Sequence, residues 1–157
     1  MIVLWRIATE SPNYPAADLT GGGAAKAGAR WNRANTPMVY TSTTRALASL
    51  ETIVHAASGD PLPLNRYLVA ITVPDTMWTS RTMFDPATHV AWNAIPCGRA
   101  SLDWGTAWAA SNASLLAQVP SVIVPEEMNI LINPAHADMA SVGAVVVRQW
   151  MYDGRLG

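Results

Sequence analysis

The chain has 157 residues, of which 50% are hydrophobic and 13% are charged, and its formal net charge is −1. This length suits one domain with a sizeable core, and so hydrophobic a composition excludes a largely disordered chain. A net charge so close to zero gives no reason to expect nucleic-acid binding.

The single cysteine, Cys97, cannot form an internal disulfide, which fits a reducing compartment. We expect a loop thiol without a chemical role, and a nucleophile is the alternative. No apolar run approaches the roughly 20 residues that span a bilayer, and Arg6 interrupts the apolar start before a signal peptide can form. We therefore expect a cytoplasmic protein without a membrane anchor.

The first half of the chain predicts two strands and one long helix. In chain order, the pattern indicates a strand at Ile2–Ile7, a loop with a short helical turn at 10–29, a strand at 37–41 and a helix at Arg45–His55 that stops before Gly59. Thr43 or Thr44 is a suitable N-cap for this helix, because a hydroxyl oxygen there can accept from a free backbone N–H of the first turn.

The second half predicts four more strands and a second helix. In chain order, the pattern indicates a strand at Arg66–Val73 ending at Pro74, irregular chain at 75–100, a helix at Ser101–Leu116 bent near Gly105, strands at Val119–Val124 and Met128–Ile132, and a last strand at Val142–Trp150. Strands and helices without a linker or a repeat between them predict a single α+β domain that covers residues 1–157.

Glu51 lies on the apolar face of the predicted helix. It follows Leu47 by four residues and precedes Val54 by three, so it shares their stripe. A carboxylate buried there is costly without partners, so either the helix runs along a cleft or an arginine or a ligand meets Glu51. His55, one turn later, could pair with it. The alternative is a helix edge from which Glu51 reaches water.

Arg30 and Tyr40 suit two further parts of one ligand. A guanidinium makes planar, bidentate contacts to phosphate, and the neighbouring Trp31 could pack over it. The face of Tyr40 suits a nicotinamide ring, whose positive charge in the oxidised dinucleotide adds a cation–π contribution. The alternatives are a surface arginine, a core tryptophan and a core tyrosine. Together with Glu51, this set indicates a nicotinamide dinucleotide whose sugar bond is broken.

Other motifs are incomplete. The Gly21–Lys26 segment lacks the Gly-Lys-Ser/Thr ending of a phosphate-binding loop, and no Gly-x-Gly-x-x-Gly follows a strand, so a Rossmann-type hydride-transfer site is unsupported. The three histidines have no metal-ligand spacing. Ser121 lies outside any Gly-x-Ser-x-Gly turn, which excludes an α/β-hydrolase nucleophile and leaves a backbone hydrogen bond as its simplest role.

Seven segments, taken in order, resemble one protein family. They are distributed along nearly the whole chain and are Leu4–Arg6, Ala29–Asn32, Val39–Ser42, Ala46–His55, Val119–Asn129, Leu131–His136 and Asp153–Leu156. This set resembles the RES domain family, named for its Arg, Glu and Ser positions. Ala29 departs from the glycine of many members, and the segment before Gly105 lacks an arginine that many members have.

The resemblance implies a fold similar to that of the ADP-ribosyltransferase toxins and a role as toxin of a bacterial type II toxin–antitoxin pair. Its implied partner is an Xre-family antitoxin. It also implies cleavage of the nicotinamide–ribose bond by phosphorolysis or hydrolysis, with NAD+ as substrate, inorganic phosphate as co-substrate, and no cofactor or metal. The alternatives are an ADP-ribosyltransferase that modifies a protein and an inactive antitoxin-binding module.

The resemblance also implies which residues form the site. The residues expected to be catalytic are Arg30, Tyr40, Glu51 and Ser121, and those expected to bind substrate are Arg6, Trp31, Asn32 and Asn129. Glu51 would stabilise the positive charge that develops on the ribose as the bond breaks. Ser121, with Arg6 nearby, would position the acceptor, either phosphate or water.

Overall fold

A seven-stranded sheet organises the part of the chain that the computed structural model describes, residues 1–56 and 60–156. Its strands are β1 (Ile2–Thr9), β2 (Val39–Ser42), β3 (Arg66–Val73), β4 (Thr82–Met83), β5 (Leu116–Pro120), β6 (Met128–Ile132) and β7 (Gly143–Gln149). They lie in the order β4-β5-β6-β2-β1-β3-β7, and every neighbouring pair is antiparallel except the parallel pair of β4 and β5.

Four α-helices connect these strands. They are α1 (Gly22–Ala27), α2 (Arg45–His55), α3 (Asp75–Thr79) and α4 (Arg99–Ser111), and short 3-10 turns lie at Pro86–Thr88, Ala137–Ser141 and Gly154–Leu156. The predicted α+β class is confirmed. Within residues 1–56 and 60–156, no helix is both long and apolar enough to cross a membrane.

Local signals predicted three elements with their bounds: α2, β3 and β6. The start of α2 is fixed by Thr44, whose side chain accepts from the backbone N–H of Leu47 at 3.1 Å. That hydrogen bond satisfies one of the free donors of the first helical turn. The helix ends at His55 as predicted, while Gly59, the expected stop signal, lies outside the described residues.

Three predictions need correction. The strand expected at 119–124 ends at Pro120, because Ser121 begins a turn that leads back into β6. The stretch at 75–100 is not wholly irregular, since it contains α3 and the short edge strand β4. The helix expected to bend near Gly105 runs through it without a break and ends at Ser111.

Gly105 is present for packing rather than for flexibility. A Cβ at this position would overlap the backbone carbonyl oxygen of Trp31. The residue is buried within α4, so the helix can approach the Trp31 segment only where no side chain intervenes. The glycine that suggested a bend in the helix is therefore a contact point between the helix and the loop that carries Arg30.

Side chains alternate across the sheet, and the buried residues that the structure describes form two large cores and a small third one of Ile7, Ala48 and Leu68. The first core consists of Leu4, Ala8, Ala16, Val39, Val69, Ile71, Val73, Leu115, Leu116, Ile130 and Ile132. The second consists of Trp31, Met38, Phe84, Trp92, Trp108, Ala109, Ala117, Val119 and Leu131, and Tyr40 packs against it. The predicted site residue Tyr40 therefore belongs to the aromatic face of the sheet.

The middle of the sheet contains a discontinuity. Strands β1 and β2 share a single register pair, Trp5 with Ser42, whereas β1 pairs with β3 along its whole length. Most of the β1 edge that faces β2 consequently has no strand beside it. Helix α2 packs close to both strands, and a cleft forms beside it.

Candidate functional site

The cleft has a volume of about 1130 Å³. Small-molecule sites typically measure about 300–1,000 Å³, so a dinucleotide can be accommodated here. Six of the eight predicted site residues line the cleft: Arg6, Arg30, Trp31, Tyr40, Glu51 and Asn129. The other two, Asn32 and Ser121, are each 0% exposed and lie behind its wall.

Glu51 is held by two donors on one carboxylate oxygen. Its Oε1 accepts from Oγ of Ser121 at 2.8 Å and from Nδ2 of Asn129 at 2.7 Å. Among the described residues, no protein donor hydrogen-bonds to the other oxygen, Oε2. The expected side-chain pair with His55 does not form, since Nδ1 of that ring lies 2.6 Å from the backbone carbonyl oxygen of Glu51. The described residues therefore hold the carboxylate through one of its two oxygens.

Ser121 supports Glu51 from behind. Its Oγ accepts from the backbone N–H groups of Ile123 at 3.1 Å and Val124 at 3.2 Å. A hydroxyl has one hydrogen and two acceptor lone pairs, so these bonds leave its hydrogen for Glu51. With no exposed surface, Ser121 cannot contact a ligand in this geometry. The expected role in positioning the acceptor is replaced by a role in holding the carboxylate.

Asn129 is oriented by a serine that the sequence did not single out. Ser42 lies directly opposite Asn129 in the pairing of β2 with β6, and its Oγ donates to Oδ1 of Asn129 at 2.7 Å. One signal for Ser42 was available. It follows Tyr40 by two residues on a strand, so the two side chains share one face.

The hydroxyl of Tyr40 is used entirely within the protein. It accepts from the backbone N–H of Trp31 at 3.0 Å and donates to Oδ1 of Asn32 at 2.6 Å. Asn32 is fixed in turn, because its Nδ2 donates to the carbonyl oxygens of Ala24 at 2.9 Å and Thr36 at 3.0 Å. The expected contact of Asn32 with substrate is therefore replaced by a role in holding Tyr40.

Tyr40 contributes its ring rather than a proton. Burial raises the pKa of Tyr40 above its ordinary value, and the nearby Cys97 adds to this, while the N–H of Trp31 and the charge of Arg30 oppose it. A phenol with a raised pKa stays neutral in the physiological range. Because both hydrogen-bonding directions of its hydroxyl are occupied, the surface that Tyr40 presents to the cleft is aromatic.

Arg30 is anchored by one of its nitrogens. Its Nη1 donates to the carbonyl oxygens of Trp92 at 3.1 Å and Ala94 at 3.0 Å. Among the described residues, the remaining guanidinium nitrogens of Arg30 have no protein acceptor. The anchored fork is suited to a phosphate, since the fixed Nη1 reduces the conformational freedom that binding would remove.

A second guanidinium lies in the same cleft. Nη1 of Arg6 donates to the backbone carbonyl oxygen of Asp18 at 2.9 Å. Burial lowers the pKa of Arg6, and the charge of Asp18 opposes that shift. An arginine so placed remains protonated at neutral pH. Arg6 and Arg30, on different segments, are two of the three arginines that line the cleft, and Arg66 is the third.

Trp31 forms part of a rigid wall rather than a cover for Arg30. It is 3% exposed, and its ring lies 4.8 Å from that of Phe84, 5.8 Å from that of Trp104 and 6.4 Å from that of Trp92, centroid to centroid. The expected packing of Trp31 over the guanidinium is replaced by this aromatic cluster. Packing of this kind holds the loop that carries Arg30 in one position.

Sequence reasoning missed several residues that line the cleft. They include Trp5, Thr52, Arg66 and Ile95, together with Cys97, which was expected to be an inert loop thiol. Arg66 faces the cleft because it begins a strand next to β1, and Cys97 does so because its loop lies against Tyr40. Neither position has a local signal, since the tertiary arrangement alone brings these segments together.

Comparisons with known proteins identify the family of this chain. A family model described as "RES domain" matches residues 3–154. A relative from Sphingobium sp. (strain YBL2), described as "Prs ADP-ribosylating toxin", is 52% identical over 153 residues, covering 97% of this chain and 94% of the relative. A relative from Pseudomonas putida KT2440, described as "Toxin Res", is 33% identical over 156 residues, covering 99% of each chain.

One solved structure supports the fold. The crystal structure of the MbcT–MbcA toxin–antitoxin complex of M. tuberculosis contains a similar chain, with a TM-score of 0.59 at 15% identity. The similarity covers 93% of this chain and 84% of that one. At so low an identity the comparison concerns the fold alone, and it agrees with the α+β architecture described above.

Proposed function

The chain belongs to the RES domain family, and from that premise we propose that it is a bacterial toxin that consumes NAD+ by cleaving the nicotinamide–ribose bond. The observation that carries the proposal is the hydrogen bonding of Glu51 in the cleft. Both of its protein donors occupy Oε1, which leaves Oε2 for a sugar hydroxyl. A fixed carboxylate beside an open cleft is what an oxocarbenium-like transition state requires.

The rest of the cleft fits the other parts of the dinucleotide. The free nitrogens of Arg30 suit a pyrophosphate oxygen, and the ring of Tyr40 suits the nicotinamide. Arg6 supplies a second positive group for the pyrophosphate or for an incoming phosphate. Because Arg6, Arg30 and Tyr40 line the same cleft as Glu51, one ligand can make all of these contacts.

The proposed reaction needs neither metal nor cofactor. As the glycosidic C–N bond breaks, the nicotinamide nitrogen takes the bonding pair and loses its positive charge, so the leaving group departs neutral. The positive charge moves to the ribose, where Glu51 stabilises it. A phosphate oxygen, or water in the hydrolytic variant, then forms the new bond to the anomeric carbon. An interaction that strengthens as charge develops lowers the barrier rather than only tightening binding.

An ADP-ribosyltransferase on the same site is the second candidate. It is favoured by one specific observation, the relative that is 52% identical and described as an ADP-ribosylating toxin. The same bond would break, and a protein side chain would replace phosphate as acceptor. A third candidate, an inactive antitoxin-binding module, has less support, because such a protein has no need of a carboxylate held by two donors beside a cleft.

Product analysis distinguishes these candidates. The purified chain is incubated with NAD+, with and without inorganic phosphate, and then with a lysate from antitoxin-free cells, and the products are measured by mass spectrometry. We expect NAD+ loss with an ADP-ribose phosphate as product when phosphate is present. ADP-ribose mass on a protein instead would establish transfer. Complete retention of NAD+ in every arm would refute the enzymatic proposal.

We propose an Xre-family antitoxin as the partner, acting in the cytoplasm where NAD+ is held. The rim of the cleft includes two exposed apolar side chains, Val54 at 58% and Ile95 at 83%, beside the polar Thr9, His55 and Asp60. Apolar groups in so exposed a position suit a protein surface that covers the opening. Calorimetry would test this: the antitoxin complex should bind NAD+ far more weakly than the free chain, and equal affinity would contradict the proposal.

A further inference from the structure

A line of hydrogen bonds connects the centre of the sheet to the proposed catalytic carboxylate. Ser42 and Asn129 face each other across β2 and β6, and both of their side chains take part. Oγ of Ser42 donates to Oδ1 of Asn129 at 2.7 Å, and Nδ2 of Asn129 donates to Oε1 of Glu51 at 2.7 Å. Ser42 lines the cleft but is only 3% exposed, and the hydrogen of its hydroxyl is used by Asn129.

The direction of these bonds matters because an amide has two different ends. Its oxygen only accepts and its NH2 group only donates. The carboxylate of Glu51 only accepts, so the NH2 group of Asn129 must point towards Glu51, and Oδ1 is left to accept from the hydroxyl of Ser42. A rotated amide would present its oxygen to the carboxylate, and two acceptors would then repel. The serine therefore holds the oxygen end of Asn129 and restrains the position from which its NH2 group meets the acid.

We propose that Ser42 is a positioning residue for Glu51 and that it acts through Asn129. With Ser121 on the other side, the oriented amide confines the carboxylate through Oε1 and keeps Oε2 turned to the cleft for a ribose hydroxyl. This inference rests on the proposed function, since it assigns Ser42 a part in the same cleavage reaction. Preorganised groups stabilise charge without having to reorient as it develops.

Kinetics of three variants test the relay. Ser42→Ala should lower kcat for NAD+ loss about tenfold, the effect of one misplaced hydrogen bond near a charge, and change KM for NAD+ less than about threefold. Asn129→Ala should lower kcat at least as much. Because Ser42 acts only through Asn129, the double variant should be no slower than Asn129→Ala alone. Additive losses would show that Ser42 acts by another route.

Ser114 provides the matched control. Its hydroxyl is also buried, at 5% exposure, accepts from Nε1 of Trp108 at 3.0 Å and donates to the carbonyl oxygen of Leu116 at 2.8 Å, away from the cleft. Ser114→Ala should lower Tm while leaving kcat within about twofold of wild type. If kcat fell equally in Ser114→Ala and Ser42→Ala, the loss in Ser42→Ala would be explained by general destabilisation, and the proposal would be overturned.

A crystal structure separates the relay from the proposed function. In Ser42→Ala, the amide of Asn129 should be displaced and the carboxylate of Glu51 displaced with it or split between conformers. An unchanged Glu51 would overturn the relay, whether or not the protein consumes NAD+. Absence of NAD+ loss in wild type would refute the proposed function alone. If Ser42→Ala does not fold, Ser42→Cys, a weaker donor of similar size, should show the same loss to a smaller degree.

Discussion

Replacing Glu51 by glutamine removes a charge while preserving the surrounding geometry. The amide oxygen of the new side chain can take the place of Oε1 and accept from Ser121 and Asn129, which donate at 2.8 Å and 2.7 Å in the wild type. Its NH2 group then takes the place of Oε2. No donor is left without a partner, so we expect Tm to change little. The substitution isolates the charge that faces the ligand.

The expected loss of catalytic rate follows from the removal of this charge. Removing one electrostatic contact to a developing charge costs roughly 3–4 kcal/mol, which lowers the rate about 10²–10³-fold. Binding of NAD+ should change less, because an amide can still hydrogen-bond a ribose hydroxyl. We therefore expect the loss to appear in kcat rather than in KM.

The assay follows NAD+ loss by mass spectrometry with purified Glu51→Gln and wild type in phosphate buffer. The matched control is Glu126→Gln, the same change at an exposed glutamate of the β5–β6 turn, which should retain wild-type kcat. Wild-type turnover in Glu51→Gln would refute the assigned role of the carboxylate, because no other feature of the network changes.

Three further predictions concern the supporting structure. Tyr40→Phe should lower the free energy of unfolding by about 1–3 kcal/mol in urea titrations, because Trp31 and Asn32 lose a buried partner, but KM for NAD+ should rise far less than in Tyr40→Ala. Equal KM values in the two variants would exclude the ring as a binding surface. Thr44→Ala should cost about 1 kcal/mol by the same titration through loss of the helix cap, and an unchanged midpoint would contradict the capping role. Gly105→Ala should destabilise the chain by more than about 1 kcal/mol despite the better helix propensity of alanine, since the new methyl group overlaps Trp31; stabilisation would contradict that contact.

Much of the fold was predictable because its signals are local. The helix at Arg45–His55 has a capping threonine before it, and the strand at Arg66–Val73 ends at Pro74. The strand at 116–120 was misplaced because the apolar run continues through Val124, although the chain already turns at Ser121. Apolar residues in a turn and in a strand look alike in sequence when the turn is also half-buried.

The site was predictable only as a set of residues, because convergence of remote segments has no periodicity to detect. The sequence placed Glu51 on an apolar helical face and therefore required a partner for it. It did not identify that partner, since Ser121 and Asn129 lie 70 and 78 positions away.

Nor could a motif distinguish a residue that touches the ligand from one that touches the acid. Ser121 and Asn129 both donate to Oε1 of Glu51, yet only Asn129 lines the cleft. The difference arises in the turn after β5, where the backbone N–H groups of Ile123 and Val124 donate to the oxygen of Ser121. The hydroxyl hydrogen of Ser121 is then left to donate to Glu51. The position of Ser121 therefore matters for the site although the side chain does not line the cleft, because Ser121 and Asn129 together hold Oε1 of Glu51 and leave Oε2 without a protein donor among the described residues.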